Sequence, residues 1–157
     1  MSITYREATI ADIEMLVKLR LEYLTADRGT LSEKEIIEIS NQLYSYFQES
    51  IEVSFVAIFA EENSSVVSTA YLAISTKPAN PSFITGKNGT ILNVYTKPEF
   101  RNQGIATHVL TLLIEKAKNY NISKLELSAT EMGKPLYQKL GFIDKHSKYT
   151  DMQLQIL

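Results

Sequence analysis

The spacing of apolar residues changes repeatedly along the chain, and each change predicts an element. Ile3 to Ala8 reads as a short strand. Thr9, with Asp12 three positions later, has the form of a helix N-cap, and Ile13, Leu16, Val17 and Leu24 recur at helical spacing through Ile10 to Leu24. Asp27-Arg28-Gly29-Thr30 breaks that pattern. Ser32 and Glu35 form a capping box that opens a second helix, with Ile36, Ile39, Leu43 and Phe47 along one stripe. The texture then becomes strand-like. Val53 to Ala60 and Val66 to Ile74 are nearly continuous apolar runs, separated by the turn residues Glu61 to Ser65. A loop holding Pro78, Pro81, Gly86 and Gly89 leads to a third strand, Thr90 to Tyr95. After Pro98 and Gly104, the residues Ile105, Val109, Leu112, Leu113 and Ala117 trace one helix face. Lys124 to Ser128 reads as a short strand, Gly133 to Leu140 as a short helix, and Phe142 to Leu157 as a final hairpin. This order predicts an α+β fold, a mixed sheet with helices on its faces.

Composition narrows the chemistry. The chain has 157 residues, 45% hydrophobic and 22% charged, which suits one domain over 1–157 with a core of its own. Lys and Arg number 16 against 18 Asp and Glu, so no basic surface points to nucleic acid. No apolar run approaches a membrane span, and the N-terminus has no apolar leader, which leaves a cytoplasmic protein as the expectation. There is no cysteine and there are only two histidines, His108 and His146. Thiolate zinc sites, cysteine nucleophiles and clustered histidine ligands are therefore absent from the expected chemistry, and no metal is expected. A homodimer is compatible with the sequence, although no residue decides it.

One segment carries a recognisable device. From Ile91 to Thr107 the chain reads strand, tight polar loop, helix, with Gly104 at the entry to the helix. The first turn of a helix leaves N–H groups unpaired and bears partial positive charge, so a loop wrapped around it makes a phosphate cradle. Glycine lets a phosphate approach the main chain, and Arg101 adds a cation. The rival nucleotide loop fails. Gly86-Lys87 is followed by Asn88 and Gly133-Lys134 by Pro135, where a P-loop needs Ser or Thr.

Arg101-Asn102-Gln103-Gly104-Ile105-Ala106 satisfies the pattern Gln/Arg-x-x-Gly-x-Gly/Ala, and in this setting the chain resembles the GCN5-related N-acetyltransferase family. The resemblance implies a mostly antiparallel sheet of six or seven strands flanked by about four helices. It also implies acetyl-CoA as co-substrate and an amine as acceptor. Gln103, Gly104, Ile105, Ala106 and Thr107 would hold the pyrophosphate, with Arg101 and Asn102 beside them. Val94, Tyr95 and Thr96 would pair with the pantetheine arm, and an amide of Tyr95 or Val94 would face the thioester carbonyl. The block Ser128 to Phe142 resembles the family's later motif, in which a tyrosine precedes Gly-Phe. Tyr137, four residues before Gly141, would then be the general acid that serves the departing CoA sulfur. Gly141 would cap its helix and Phe142 would pack in the core. Many relatives have a glycine near Val67-Ser68-Thr69, where this chain has Ser68, a change read as one of packing alone.

No motif marks a general base. Glu22 and Glu131 are the candidates, each read first as a solvated surface carboxylate. The acceptor pocket is expected between Leu21 to Phe47 and Lys77 to Gly89, with Tyr44, Tyr46, Phe47 and Phe83 as aromatic walls and Asp27 and Glu38 as acids. His108 reads as a solvated or packing residue. The alternative to an enzyme is a catalytically silent acyl-CoA-binding module on the same fold.

Overall fold

The computed structural model describes residues 2–157. Five strands and four α-helices follow one another as β1 (Thr4–Glu7), α1 (Ile13–Arg28), α2 (Glu33–Ser50), β2 (Phe55–Glu62), β3 (Ser65–Thr76), β4 (Lys87–Thr96), α3 (Ile105–Lys118), β5 (Lys124–Glu126) and α4 (Lys134–Lys139). Single turns of 3-10 helix at Ile10–Asp12 and Pro98–Phe100 lead towards α1 and α3. The strands lie in chain order, antiparallel except for the parallel β4–β5 pair.

Both expected capping boxes form. Thr9 and Asp12 close the turn before α1, and Ser32 Oγ accepts from the Glu35 N–H at 3.1 Å while Glu35 Oε1 accepts from the Ser32 N–H at 2.9 Å. α1 continues past its predicted end to Arg28, where Gly29 stops it with φ 89°. The apolar runs of β2 and β3 are continuous because both faces of the sheet are covered. Phe55, Ala57 and Phe59 join Leu16, Val17, Leu43 and Phe47 on the α1–α2 side, whereas Val56, Ile58 and Ala60 meet Ile105, Val109, Leu110 and Leu113 of α3. Tyr71, fully buried, fastens β3 to α1 by donating to the Leu16 carbonyl at 2.7 Å.

Two expectations are corrected. Gly89 is not in a loop but inside β4, where a side chain would strike Leu72 and Leu125, each methyl lying 2.7 Å from the position of a Cβ. The hairpin expected from Phe142 to Leu157 does not form, so the sheet has five strands among the described residues instead of six or seven. Met152, Leu154 and Ile156 alternate as in a strand, but they engage no sheet edge and are 85–90% exposed. A strand pattern needs a partner edge to become a strand, and the pattern alone does not supply one.

Candidate active site

β4 is where the sheet opens. Its first part, Asn88 to Thr90, pairs with Lys124 to Glu126 of β5. β5 then ends, and beyond Thr90 only the β3 edge of β4 is occupied. Thr69 faces Tyr95 and Tyr71 faces Leu92, so Asn93 and Val94 together oppose Ala70. This is a β-bulge, with Asn93 in the left-handed region at φ 56°. Past it, Tyr95 faces α1 across a cavity of about 270 Å³ whose wall also includes Leu19, Glu22, Tyr23, Thr69 and Asn93.

The turn that follows is built to leave donors free. Asn102 and Gly104 have φ 61° and 79°, which fold the chain tightly into α3. The N–H of Arg101 bonds to the Pro98 carbonyl, and the helical ladder starts only with His108 N–H to Gly104 O at 3.1 Å. Between them, the amides of Asn102, Gln103, Gly104, Ile105, Ala106 and Thr107 have no acceptor among the described residues. Nothing lies within 4 Å of the position a Gly104 Cβ would take, so the space before these donors is open. Ile105 is buried in the α3 core and holds the helix end in place. Arg101 ties the turn to the strand: its Nε donates to the Thr96 carbonyl at 2.9 Å and its guanidinium lies 5.7 Å from the Tyr95 ring centre. Gln103 braces the turn by donating to the Glu99 carbonyl.

Tyr137 sits on the far side of the divergence, on α4. A Schellman closure fixes it: Phe142 N–H bonds to the Tyr137 carbonyl at 3.0 Å, Gly141 N–H bonds to Gln138, and Gly141 adopts φ 99°. The Tyr137 and Phe142 rings meet edge to face with centres 6.1 Å apart. Burial pushes the Tyr137 phenol above its ordinary pKa, and the Tyr23 phenol adds to that shift. The group therefore stays protonated at neutral pH. A groove of about 430 Å³ runs beside it between β5 and α4, past Leu127, Ala129 and Phe142.

Val94 to Thr96 end β4 and lead through the turn at Arg101 into α3, and Val94, Ile105 and Tyr137 belong to the same apolar cluster on the α3 side of the sheet. Of the two candidate bases, Glu22 borders the β4–α1 cavity, whereas Glu131 is exposed in the turn before α4. The acceptor-wall residues separate. Tyr46 and Phe47 line a second cavity, of about 210 Å³, between α1 and α2, while Tyr44 is exposed. Phe83 is elsewhere, 5.5 Å from the Lys124 ammonium, and Asp27 and Glu38 are spent near Arg28 and Lys34. His108 is exposed and stacks on Tyr5 with ring centres 4.0 Å apart, a packing role. Ser68 does more than its sequence suggests. It is buried in β3, donates to the Tyr95 carbonyl at 3.1 Å and lies 2.7 Å from Thr96 Oγ1. Asn93, a polar residue inside an apolar run, is the one visible signal of the bulge, and nothing in the sequence marks Arg20 of α1, which also lines the second cavity and donates to Asn93 Oδ1 at 3.4 Å.

Comparison with known proteins shows the family. The profile of the "Acetyltransferase (GNAT) family" matches residues 13–142, and the chain belongs to that family. Among solved structures, a predicted acetyltransferase of Clostridium acetobutylicum, crystallised with acetyl-CoA, is 35% identical over 97% of this chain and 96% of its own, with TM-score 0.81. A GCN5-related N-acetyltransferase from Ralstonia eutropha JMP134 is 24% identical over 99% of both chains, TM-score 0.77. Glucosamine-6-phosphate N-acetyltransferase from Arabidopsis thaliana shares the fold at 20% identity and TM-score 0.66, over 97% of this chain and 99% of its own. Comparison with curated proteins gives no match.

Proposed function

We propose that this protein is an N-acetyltransferase in which a primary amine attacks acetyl-CoA directly within a ternary complex. The observation that carries the reading is the row of unpaired amides from Asn102 to Thr107, set beside a strand edge that β5 has left free. Acetyl-CoA supplies an activated acyl group and a thiolate as leaving group. The amides and the positive end of α3 bind the diphosphate, with Arg101 and Asn102 at its flank. The open edge of Val94 to Thr96 takes the pantetheine arm as a further strand, and an N–H at Tyr95 or Val94 polarises the carbonyl. Tyr137 donates a hydrogen bond to the sulfur. Burial raises the Tyr137 phenol further above the range of a thiol, so full proton transfer to the sulfur is uphill and stabilisation of the sulfur is the larger part of its role. Glu22, on the wall of the β4–α1 cavity, is the carboxylate placed to receive the amine's proton. Residues 1–157 act as one unit in this reading.

Calorimetry with acetyl-CoA, paired with colorimetric detection of thiol released in the presence of an amine panel, tests it. Binding together with thiol release is expected, and Tyr137→Phe should lower turnover about 10–100-fold with affinity for acetyl-CoA within twofold. Binding without turnover on any amine would favour the silent acyl-CoA module. Absence of both ends the proposal.

A further inference from the structure

Arg20 has no task in the account above, and its surroundings are unusual for an arginine. It lies in the middle of α1, partly buried between that helix, α2 and β4, and no carboxylate lies within 4 Å of it among the described residues. Arg6, by contrast, holds both Asp12 and Glu61 at 2.8 Å. The acid nearest Arg20 along its helix face, Asp27, pairs with Arg28 instead. One hydrogen bond is made, long at 3.4 Å, from Arg20 Nη1 to Asn93 Oδ1. A guanidinium has five N–H donors, so most of this fork is unspent. Asn93 itself is 2% exposed, and its Nδ2 has no partner. Asn93 Nδ2 is thus withdrawn from water and unbonded, which costs stability unless something else completes it, and the half-buried guanidinium beside it has donors to spare.

Their position says what that is. Arg20 lines the 210 Å³ cavity together with Gln42, Tyr46, Phe55, Tyr71 and Leu92. Asn93 lines the 270 Å³ cavity that holds Glu22 and Tyr95. The Arg20–Asn93 bond joins the two. We infer that the acceptor is an amino carboxylate, its carboxylate gripped by Arg20, its apolar part in the α1–α2 cavity and its amine turned towards Tyr95. That this is the acceptor side rests on the acetyl-transfer reading, whereas the anion site stands on the geometry alone. The planar fork matches a carboxylate in bidentate fashion. A single cation with apolar walls neutralises a monoanion. A phosphate monoester would keep a second charge in the same walls without a partner. Burial of Arg20, which pushes its pKa down, is relieved by an anion arriving there.

The test uses the full-length protein saturated with CoA and pairs of probes that differ in a carboxylate: L-phenylalanine against phenethylamine, and L-leucine against isoamylamine. Calorimetry should find the amino acid of a pair at least tenfold tighter than its amine. Arg20→Met should bring that ratio below twofold, and Arg20→Lys, which keeps charge but loses the fork, should fall between. Equal affinities in the unaltered protein, a ratio preserved in Arg20→Met, or no binding by any amino carboxylate each overturns the inference, as does tighter binding of phosphoethanolamine than of both amino acids. The unaltered protein alone decides the matter if the variants do not fold. Thiol release from acetyl-CoA is followed separately. Its failure on every amine, with the carboxylate preference intact, would remove the transferase reading and leave the anion site standing.

Discussion

The two halves of β4 share one strand and have opposite characters. From Lys87 to Thr90 the strand is held on both edges, by β3 and by β5, and packed so closely that Gly89 has no room for a side chain. From Ile91 to Thr96 it is held on one edge, bulged at Asn93 and Val94, and followed by a turn whose amides face open space. The second half is the one able to take a ligand, because its hydrogen-bonding groups are unspent. The first half makes that possible by fixing where β5 departs. Both halves contain a glycine-dependent point, Gly89 in one and Gly104 just beyond the other, and the reasons differ. Gly89 is required by crowding. Gly104 is required by its backbone angle, and the space in front of it is open.

Breaking the open half gives the largest effect. Gly104→Glu places a carboxylate at φ 79°, in the space where the diphosphate would lie. Loss of at least 100-fold in acetyl-CoA affinity is expected by calorimetry, about 2.7 kcal/mol or more. The left-handed backbone angle adds roughly 1–2 kcal/mol of folding cost. Affinity unchanged in a folded variant would show that the cradle lies elsewhere.

The same contrast governs how much of the molecule the sequence makes legible. The open half is legible because its form rests on local sequence: Arg101 to Ala106, the strand before and the helix after are contiguous. The Schellman closure at Gly141 and Phe142 is legible for the same reason. Tertiary crowding is not. Gly89 looks like a loop residue in the sequence because the two leucines that exclude a side chain, Leu72 and Leu125, come from β3 and β5, both remote along the chain. Ser68 and Arg20 are invisible in their roles, since each depends on a partner in β4 that only the bulge brings within reach. The expected C-terminal hairpin fails because alternation at Met152, Leu154 and Ile156 reports a preference and not a partner.

Gly89→Ala sharpens the comparison from the closed half. The new methyl group meets side-chain ends, Leu72 Cδ1 and Leu125 Cδ2, which can turn aside only within a packed core. Overpacking of this kind costs about 1–2 kcal/mol, or roughly 3–6 °C in Tm for a chain of this size. Acetyl-CoA affinity measured on the folded protein is expected to stay within twofold, since the cradle lies beyond the other end of the strand. A variant with full thermal stability would mean that the crowding at Gly89 is relieved at no cost.

Ser68→Ala tests the border of the open half, with the smallest expected effect. The Thr96 hydroxyl and the Ser68 hydroxyl form a chain that ends on the Tyr95 carbonyl. Thr96 also offers its carbonyl to Arg101, so the same short segment ties β3, the end of β4 and the turn before α3 together. Removing the Ser68 hydroxyl leaves the half-buried Thr96 hydroxyl without this partner and costs about 1 kcal/mol of stability. Because the loss falls at the end of the open edge, acetyl-CoA affinity should also weaken, by roughly 2–5-fold, equivalent to about 0.4–1 kcal/mol. Differential scanning calorimetry and titration calorimetry read the two effects separately. A drop in Tm with affinity untouched would show that the hydroxyl pair only closes the core, and that Arg101 alone positions the turn against the strand.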